Sequence, residues 1–473
     1  MNEEFFNDEE FRELLEEYEQ TVEAGEMVFM DTEDLADIAD YYMFNNRPKE
    51  ADKVIERALE LEPDSPFILS YLIHLAISKK DYKAAEDYLS QMTDEQHPEY
   101  IYGRAEIWIA QGMTDEADKY LSNCQKLYLM EMDREDYVYD VVNLWTDYNC
   151  NEKALEWMMR VPPQDTDEYL EMMGRIYLGV DNCEEAERIF NNLIDRNPFQ
   201  KRYWKALADT QYMKEDYSSA LTSCEYAIAL DPEDPESLLC KANIHYQLND
   251  FEEAQKYYER TAEKREDEAV LYNLACCLVN LGRNAEAEKQ LMRAEKAALA
   301  DSPYLTEIYQ ELGYVYGELR LLDKALQYID KAISRCKDVN REAELIIIRG
   351  HILLGNGKLE DALKSFEKGI ALSGYSAYIE LRAIVSVYDN HYLETAYEMF
   401  KKFFDLNGTD STEGYSYMAL CCYDMKRFDE YLLYLEKACQ SNPKQAKKVL
   451  GYKFPEALKP EEYYEYAKNE MKK

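Results

Sequence analysis

Five histidines punctuate the sequence, His74, His97, His245, His351 and His391. Imidazole is the side chain best suited to moving protons or holding metals near neutral pH. None of the five stands at a spacing that would let it work with another. There is no H-E-x-x-H, no Cys/His cluster at metal-ligand spacing and no G-x-S-x-G turn. The stretch GHILLGNGK at 350–358 looks like a phosphate cradle until its lysine is counted. In such a cradle Lys follows the second Gly directly, whereas Asn356 and Gly357 separate Gly355 from Lys358. Among the 11 cysteines are the neighbours Cys276-Cys277 and Cys421-Cys422, but no C-x-x-C. Cys224, Cys240 and Cys276 sit in helical patterns as small apolar residues, and an odd count does not read as a disulfide framework. Acids are so frequent that no carboxylate pair stands apart. Neither an enzyme nor a cofactor is expected.

Recognition is the chemistry that remains. Lys and Arg number 54 against 96 Asp and Glu, a formal charge of −42. In that acidic chain Arg175, Arg202 and Lys205 are candidates to hold a partner's carboxylate through charge-assisted hydrogen bonds. Glu168, Glu171, Asp209 and Glu236 offer the same bases an internal use. The negative field argues against phosphate backbones and anionic lipid, so no nucleic-acid or membrane partner is expected. No apolar run reaches the length of a membrane span. The opening MNEEFFNDEEF is acidic where a secretion signal would be basic and then apolar, which points to the cytoplasm.

What positions these residues is a recurring spacing of small side chains. Ala51, Ala85, Ala117, Ala154, Ala186, Ala220, Ala254, Ala287, Ala325, Ala362 and Ala396, then Tyr431, follow one another at steps of 32 to 38 residues. A period near 34 with helix-turn-helix content is the mark of a solenoid of helix pairs. In the unit from Lys201 to Asp234, Trp204, Leu207 and Ala208 open, Ala220 and Ala227 follow, and Pro232 closes. Leu170, Met173, Gly174, Tyr177, Ala186, Phe190 and Pro198 repeat the theme, as do Leu312, Gly313, Tyr316, Ala325, Ile329 and Ala332. The last unit, from Thr412, carries Tyr415, Met418, Ala419, Phe428, Ala438 and Pro443. This pattern resembles the tetratricopeptide repeat family, with twelve units over roughly residues 32 to 443.

Physics accounts for the residue choices. Each first helix offers apolar residues at helical spacing to the second. A small residue at Gly174, Ala208 or Gly313 meets one at Ala186, Ala220 or Ala325, which lets the axes approach. Ala227 or Ala332 faces the next unit, and Pro63, Pro198, Pro232 or Pro443 stops the helix. Some units depart from the pattern. Long steps predict extended helices or loops around 122–134, 295–305 and 333–342, Gly369 replaces an alanine, and Tyr431 fills the last small slot.

The resemblance implies an all-α fold, a right-handed superhelical solenoid of antiparallel helix pairs, whose concave groove is lined by first helices and holds a peptide or protein segment. The second, fifth, ninth and twelfth residues of each unit face that groove. Those slots hold Tyr102, Tyr139, Tyr212, Tyr246, Tyr272, Tyr314, Tyr378, Tyr388 and Tyr423, rigid rings with a polar tip that suit a wet binding face. Arg175, Arg202 and Lys205 occupy the same slots, with Asn243 one unit on. Some family members clamp a C-terminal carboxylate with Lys and Asn at set slots. Lys205 fits one, but Asp209 replaces the Asn, and Glu307 and Glu311 put acids where bases belong, so that function is disfavoured.

A solenoid also needs polar-backed ends. Residues 1–31 hold 12 acids and one base, with a capping helix whose face is Phe11, Leu14, Leu15, Tyr18 and Val22. Asn7 and Glu10 are placed to cap its start, and Phe6 stands at a staple position before Phe11. Residues 444–473 hold eight Lys and five Glu and end in a further helix. Opposite end charges allow weak end-to-end association of an otherwise monomeric chain. The expected function is a protein-interaction scaffold. The alternatives are a self-assembling structural protein, or a peptide-sensing regulator without a DNA-binding domain, for which residues 1–31 leave no room.

Overall fold

The computed structural model describes residue 6 and residues 9–25, 28–45, 47–127, 131–265, 267–300, 302–407 and 413–471. Asn7, expected to cap the first helix, and Thr412, expected to open the last unit, lie outside them. The chain is all-α, with no strand among the described residues. It divides into two compact units, Met1–Glu215 and Asp216–Lys473.

In the first unit, helix Glu9–Glu23 precedes five helix pairs. These are Thr32–Phe44 with Pro48–Leu61, Pro66–Ser78 with Tyr82–Leu89, Pro98–Ala110 with Thr114–Cys124, Glu131–Asp147 with Asn151–Met158, and Asp167–Gly179 with Cys183–Arg196. Helix Lys201–Met213 ends the unit. The second unit begins with Tyr217–Leu230 and continues through six pairs. They are Pro235–Gln247 with Phe251–Lys264, Glu268–Asn280 with Asn284–Ala297, Tyr304–Glu318 with Leu322–Arg335, Val339–Gly355 with Leu359–Leu372, Ala377–Asp389 with Leu393–Asn407, and Tyr415–Asp424 with Phe428–Ser441. Helices Pro443–Leu450 and Tyr463–Glu470 follow.

Two local devices make the pairs. The turn inside a pair carries a residue in the left-handed region, Lys80, Asp181 or Asn249 in some units and Gly112, Gly282 or Gly357 in others. After Lys80, Asp181 and Asn249 comes an Asp or Asn whose side chain accepts a backbone N–H three residues on: Asp81 from Ala84, Asn182 from Glu185, Asp250 from Glu253. The cap satisfies a donor that the new helix would otherwise leave open, which offsets the cost of the strained residue before it. Between pairs, Pro66, Pro98, Pro235 and Pro443 stand at the first helical position, where a missing N–H costs nothing.

The core confirms the spacing. Every one of the eleven anchor alanines from Ala51 to Ala396 has 0% exposure, and Tyr431 in the twelfth slot is buried as well. At Gly313 an added Cβ would lie 3.3 Å from the Ala325 carbonyl oxygen, a direct backbone approach. At Gly174 the space is filled instead by Phe190, whose Cζ would be 2.8 Å away. The long steps become long first helices, Glu131–Asp147 and Val339–Gly355, together with the loop before Tyr304–Glu318. Phe11 and Tyr18 of helix Glu9–Glu23 are buried in the cluster that includes Leu35, Ile38 and Tyr42. Phe6 packs 5.2 Å from Phe11, ring centre to ring centre. At the other end Phe454 and Tyr463 stack at 4.0 Å. Among the described residues no helix is long and apolar enough to cross a membrane.

Candidate functional site

The first helices of successive pairs are tied to one another by polar side chains. In the first unit the Tyr102 hydroxyl donates to Asp140 at 2.8 Å, and Glu106 takes His74 at 2.7 Å and the Tyr148 hydroxyl at 2.9 Å. In the second unit Asn280 donates to the Tyr246 hydroxyl at 3.4 Å, and Tyr388 donates to Asp424 at 2.6 Å. Several tyrosines expected to await a ligand therefore spend their hydroxyls on the next repeat. The sequence holds a signal for this, a tyrosine followed one period later by an acid or amide, as at 102/140, 246/280 and 388/424.

The basic residues of the first unit have the same fate in part. Arg202 Nε lies 3.0 Å from Glu171 Oε2, and Lys205 Nζ lies 3.1 Å from Asp209 Oδ2, one turn along. Arg175 is exposed, and its charge lowers the carboxyl pKa values of Asp147 and Glu171 against the rise that burial causes. Tyr139 is half-buried near Glu135, Glu168 and Tyr169, and burial raises its pKa. Tyr212 is half-buried on the helix that carries Arg202 and Lys205. Asn243 belongs to the second unit, where its Oδ1 accepts the Tyr258 hydroxyl at 2.6 Å.

The second unit opens a cavity of about 210 Å³ on its first-helix face. Three consecutive first helices line it: Glu311 and Tyr314 from Tyr304–Glu318, Ile347, Ile348 and His351 from Val339–Gly355, and Arg382 from Ala377–Asp389. Burial pushes the Glu311 carboxyl above the usual range, while the Gln310 amide donates to it at 3.2 Å. Burial also depresses the His351 pKa, so its ring is neutral at pH 7. Burial raises the pKa values of Tyr246, Tyr272 and Tyr314 and pushes the Cys276 thiol up to about 12, and the Glu311 charge adds to the rise in all four. Three tyrosines of the stripe thus gather near one partly desolvated carboxylate. Glu311 was legible in the sequence only as an acid that spoiled a carboxylate clamp.

The residues 171–235, 35–65 and 306–338 match models of the tetratricopeptide repeat, and residues 213–294 match a model of anaphase-promoting complex, cyclosome, subunit 3. The chain thus carries tetratricopeptide repeats. It is 25% identical over 233 residues to a TPR repeat-containing protein of Methanocaldococcus jannaschii, covering 48% of this chain and 41% of that one. It is 26% identical over 174 residues to protein O-mannosyl-transferase TMTC1 of Homo sapiens, covering 36% of this chain and 18% of the relative. The chain therefore spans less than half the length of these curated relatives. Among solved structures, yeast Tom70 matches 93% of this chain and 96% of its own at 17% identity and a TM-score of 0.42. Tetratricopeptide repeat proteins are in general protein-interaction scaffolds.

Proposed function

We propose that this tetratricopeptide repeat protein holds an extended peptide segment of a protein partner along its first-helix faces, in the cytoplasm. The cavity between three first helices of the second unit carries this reading. It joins an apolar wall, Ile347 and Ile348, to a few polar groups, which is the usual make-up of a pocket for a side chain. Asn243, Tyr246, Tyr272 and Tyr314 are the contacts assigned on that unit. On the first unit they are Arg175, Arg202, Lys205, Tyr139 and Tyr212. Arg202 and Lys205 would exchange the half-buried carboxylates Glu171 and Asp209 for a carboxylate of the ligand, like for like. Eleven free cysteines support a reducing compartment. Helix Glu9–Glu23 and the helices after Ser441 act as the polar-backed ends of the array.

An affinity capture from native cytosol tests this. Wild type is compared with Arg175→Glu/Arg202→Glu/Lys205→Glu and with Ile348→Glu, after circular dichroism has matched their helix content. The expected result is a protein retained by wild type and lost from one or both variants. Identical retention by all three would refute peptide binding on these faces.

A further inference from the structure

The cavity of the second unit has a sign. Around it stand Glu307, Glu311, Glu318, Glu344 and Asp389, against Arg341 and Arg382. Both arginines are already engaged. Arg341 donates to Gln310 at 2.8 Å and to Glu344 at 3.1 Å, and Arg382 reaches the other Glu344 oxygen at 3.4 Å. Glu344, together with Glu307 at 3.7 Å from Arg341, thereby balances the two cations at the rim. Glu311 has the neutral Gln310 amide as its hydrogen-bond donor and the charge of Arg341 nearby, but among the described residues it makes no ion pair of its own.

That is an unusual state for a half-buried carboxylate. Removing it from water costs free energy that a cation would return, since a charge-assisted hydrogen bond is strongest where solvent is thin. Tyr314 lines the same cavity, where a tyrosine ring can receive a cation, and the half-buried Ile348 adds apolar surface along which a methylene stem can lie. A carboxylate ligand is disfavoured at the same place. It would meet Glu311 directly, and Arg382 already has Glu344. The charge of −42 steers basic partners toward the whole chain and acidic ones away.

We propose that this cavity receives the lysine or arginine side chain of a basic, extended peptide segment, with Glu311 as its counter-ion. The proposal rests on the first-helix face being the peptide face. It reverses the sign expected from the basic residues of the first unit.

The test uses the full chain and three fluorescein-labelled peptides, Ser-Gly-Ile-Ile-Xaa-Ile-Ser-Gly-Ser with Lys, Gln or Glu at the centre, read by fluorescence anisotropy at about 0.15 M salt. The lysine peptide should bind roughly tenfold or more tightly than the glutamine peptide, with the glutamate peptide weakest. Glu311→Gln should erase that preference, bringing the lysine and glutamine peptides to the same affinity. Glu360→Gln, which removes an exposed acid from helix Leu359–Leu372, should keep it. A preference that survives Glu311→Gln, or falls equally in Glu360→Gln, overturns the proposal and assigns the effect to overall charge. A photo-crosslinking residue in each peptide separates the two levels of the argument. Equal affinities with crosslinks on the first helices between residues 304 and 389 would leave the peptide face standing and sink the counter-ion role. Crosslinks elsewhere, or no binding of any peptide, would overturn both.

Discussion

Two glycines of one helix respond in opposite directions to the same substitution. Gly350 and Gly355 both lie in Val339–Gly355, and alanine at either position gains helix propensity, up to about 1 kcal/mol in mid-helix and about 0.5 kcal/mol at the end. Their surroundings differ. A Cβ on Gly350 would come within 2.7 Å of Phe366 Cδ1, and the Phe366 ring is 1% exposed, so it has nowhere to rotate. Forcing one extra carbon into such a site costs about 1–3 kcal/mol. With three Phe366 ring atoms under 3.0 Å the cost falls in the upper part of that range, about 2–3 kcal/mol, so after the propensity gain Gly350→Ala should destabilise the second unit by about 1–2 kcal/mol. A Cβ on Gly355 meets Asn390 Oδ1 at an ordinary 3.6 Å, so Gly355→Ala should stabilise by about 0.5 kcal/mol. Urea titration followed by circular dichroism reads the midpoints. Amide exchange in helix Leu359–Leu372 localises the effect, because repeat arrays need not unfold as one unit. Midpoints that move the same way for both variants, or a Gly350→Ala protein as stable as wild type, would refute the packing argument.

Other perturbations test burial elsewhere. Burial and the charges of Asp40, Glu33 and Asp34 raise the Asp37 pKa to about 6. The folded state thus holds that proton more tightly than the unfolded chain, and stability falls as pH rises between about 4 and 6. The ceiling is roughly 3 kcal/mol, trimmed to roughly 1–2 by partial exposure. Asp37→Asn should restore that much at pH 7 and nothing at pH 3.5, and equal gains at both values in thermal melts would count against the mechanism. The Trp157 indole donates to Asp118 at 2.7 Å from a fully buried position. Trp157→Phe should cost roughly 2–3 kcal/mol in urea titration, and a loss under 0.5 would show that Lys153 and Arg160 suffice for Asp118. Burial pushes Cys276, Cys277, Cys421 and Cys422 up to about 12. N-ethylmaleimide at pH 8 should reach Cys277, Cys421 and Cys422 only after unfolding and the half-buried Cys276 slowly, and native labelling of the three buried thiols at the rate of a free thiol would contradict their burial.

The repeat was open to reading because its cause is local and periodic. Two helices approach closely only where one side chain is small, so Ala220 and its ten counterparts had to recur near 34 residues, and all of them are fully buried. The helix breaks were legible for a similar reason, since proline cannot continue a helix and Gly357 takes the left-handed turn. The recognition face was legible only as a set of slots. Spacing placed Arg202, Lys205, Tyr246 and Tyr388 on the first helices, but not their attachment to Glu171, Asp209, Asn280 and Asp424. Spacing also made Glu311 an obstacle to one function, and not the acid beside which Tyr246, Tyr272 and Tyr314 gather. By itself the sequence determined which residues each helix buries, because steric fit at a helix contact depends on residue size and period. Tertiary structure alone decided which polar side chains meet, because a pair three ångströms apart depends on the stagger of neighbouring helices and on side-chain rotamers, both of which are set by packing throughout the unit.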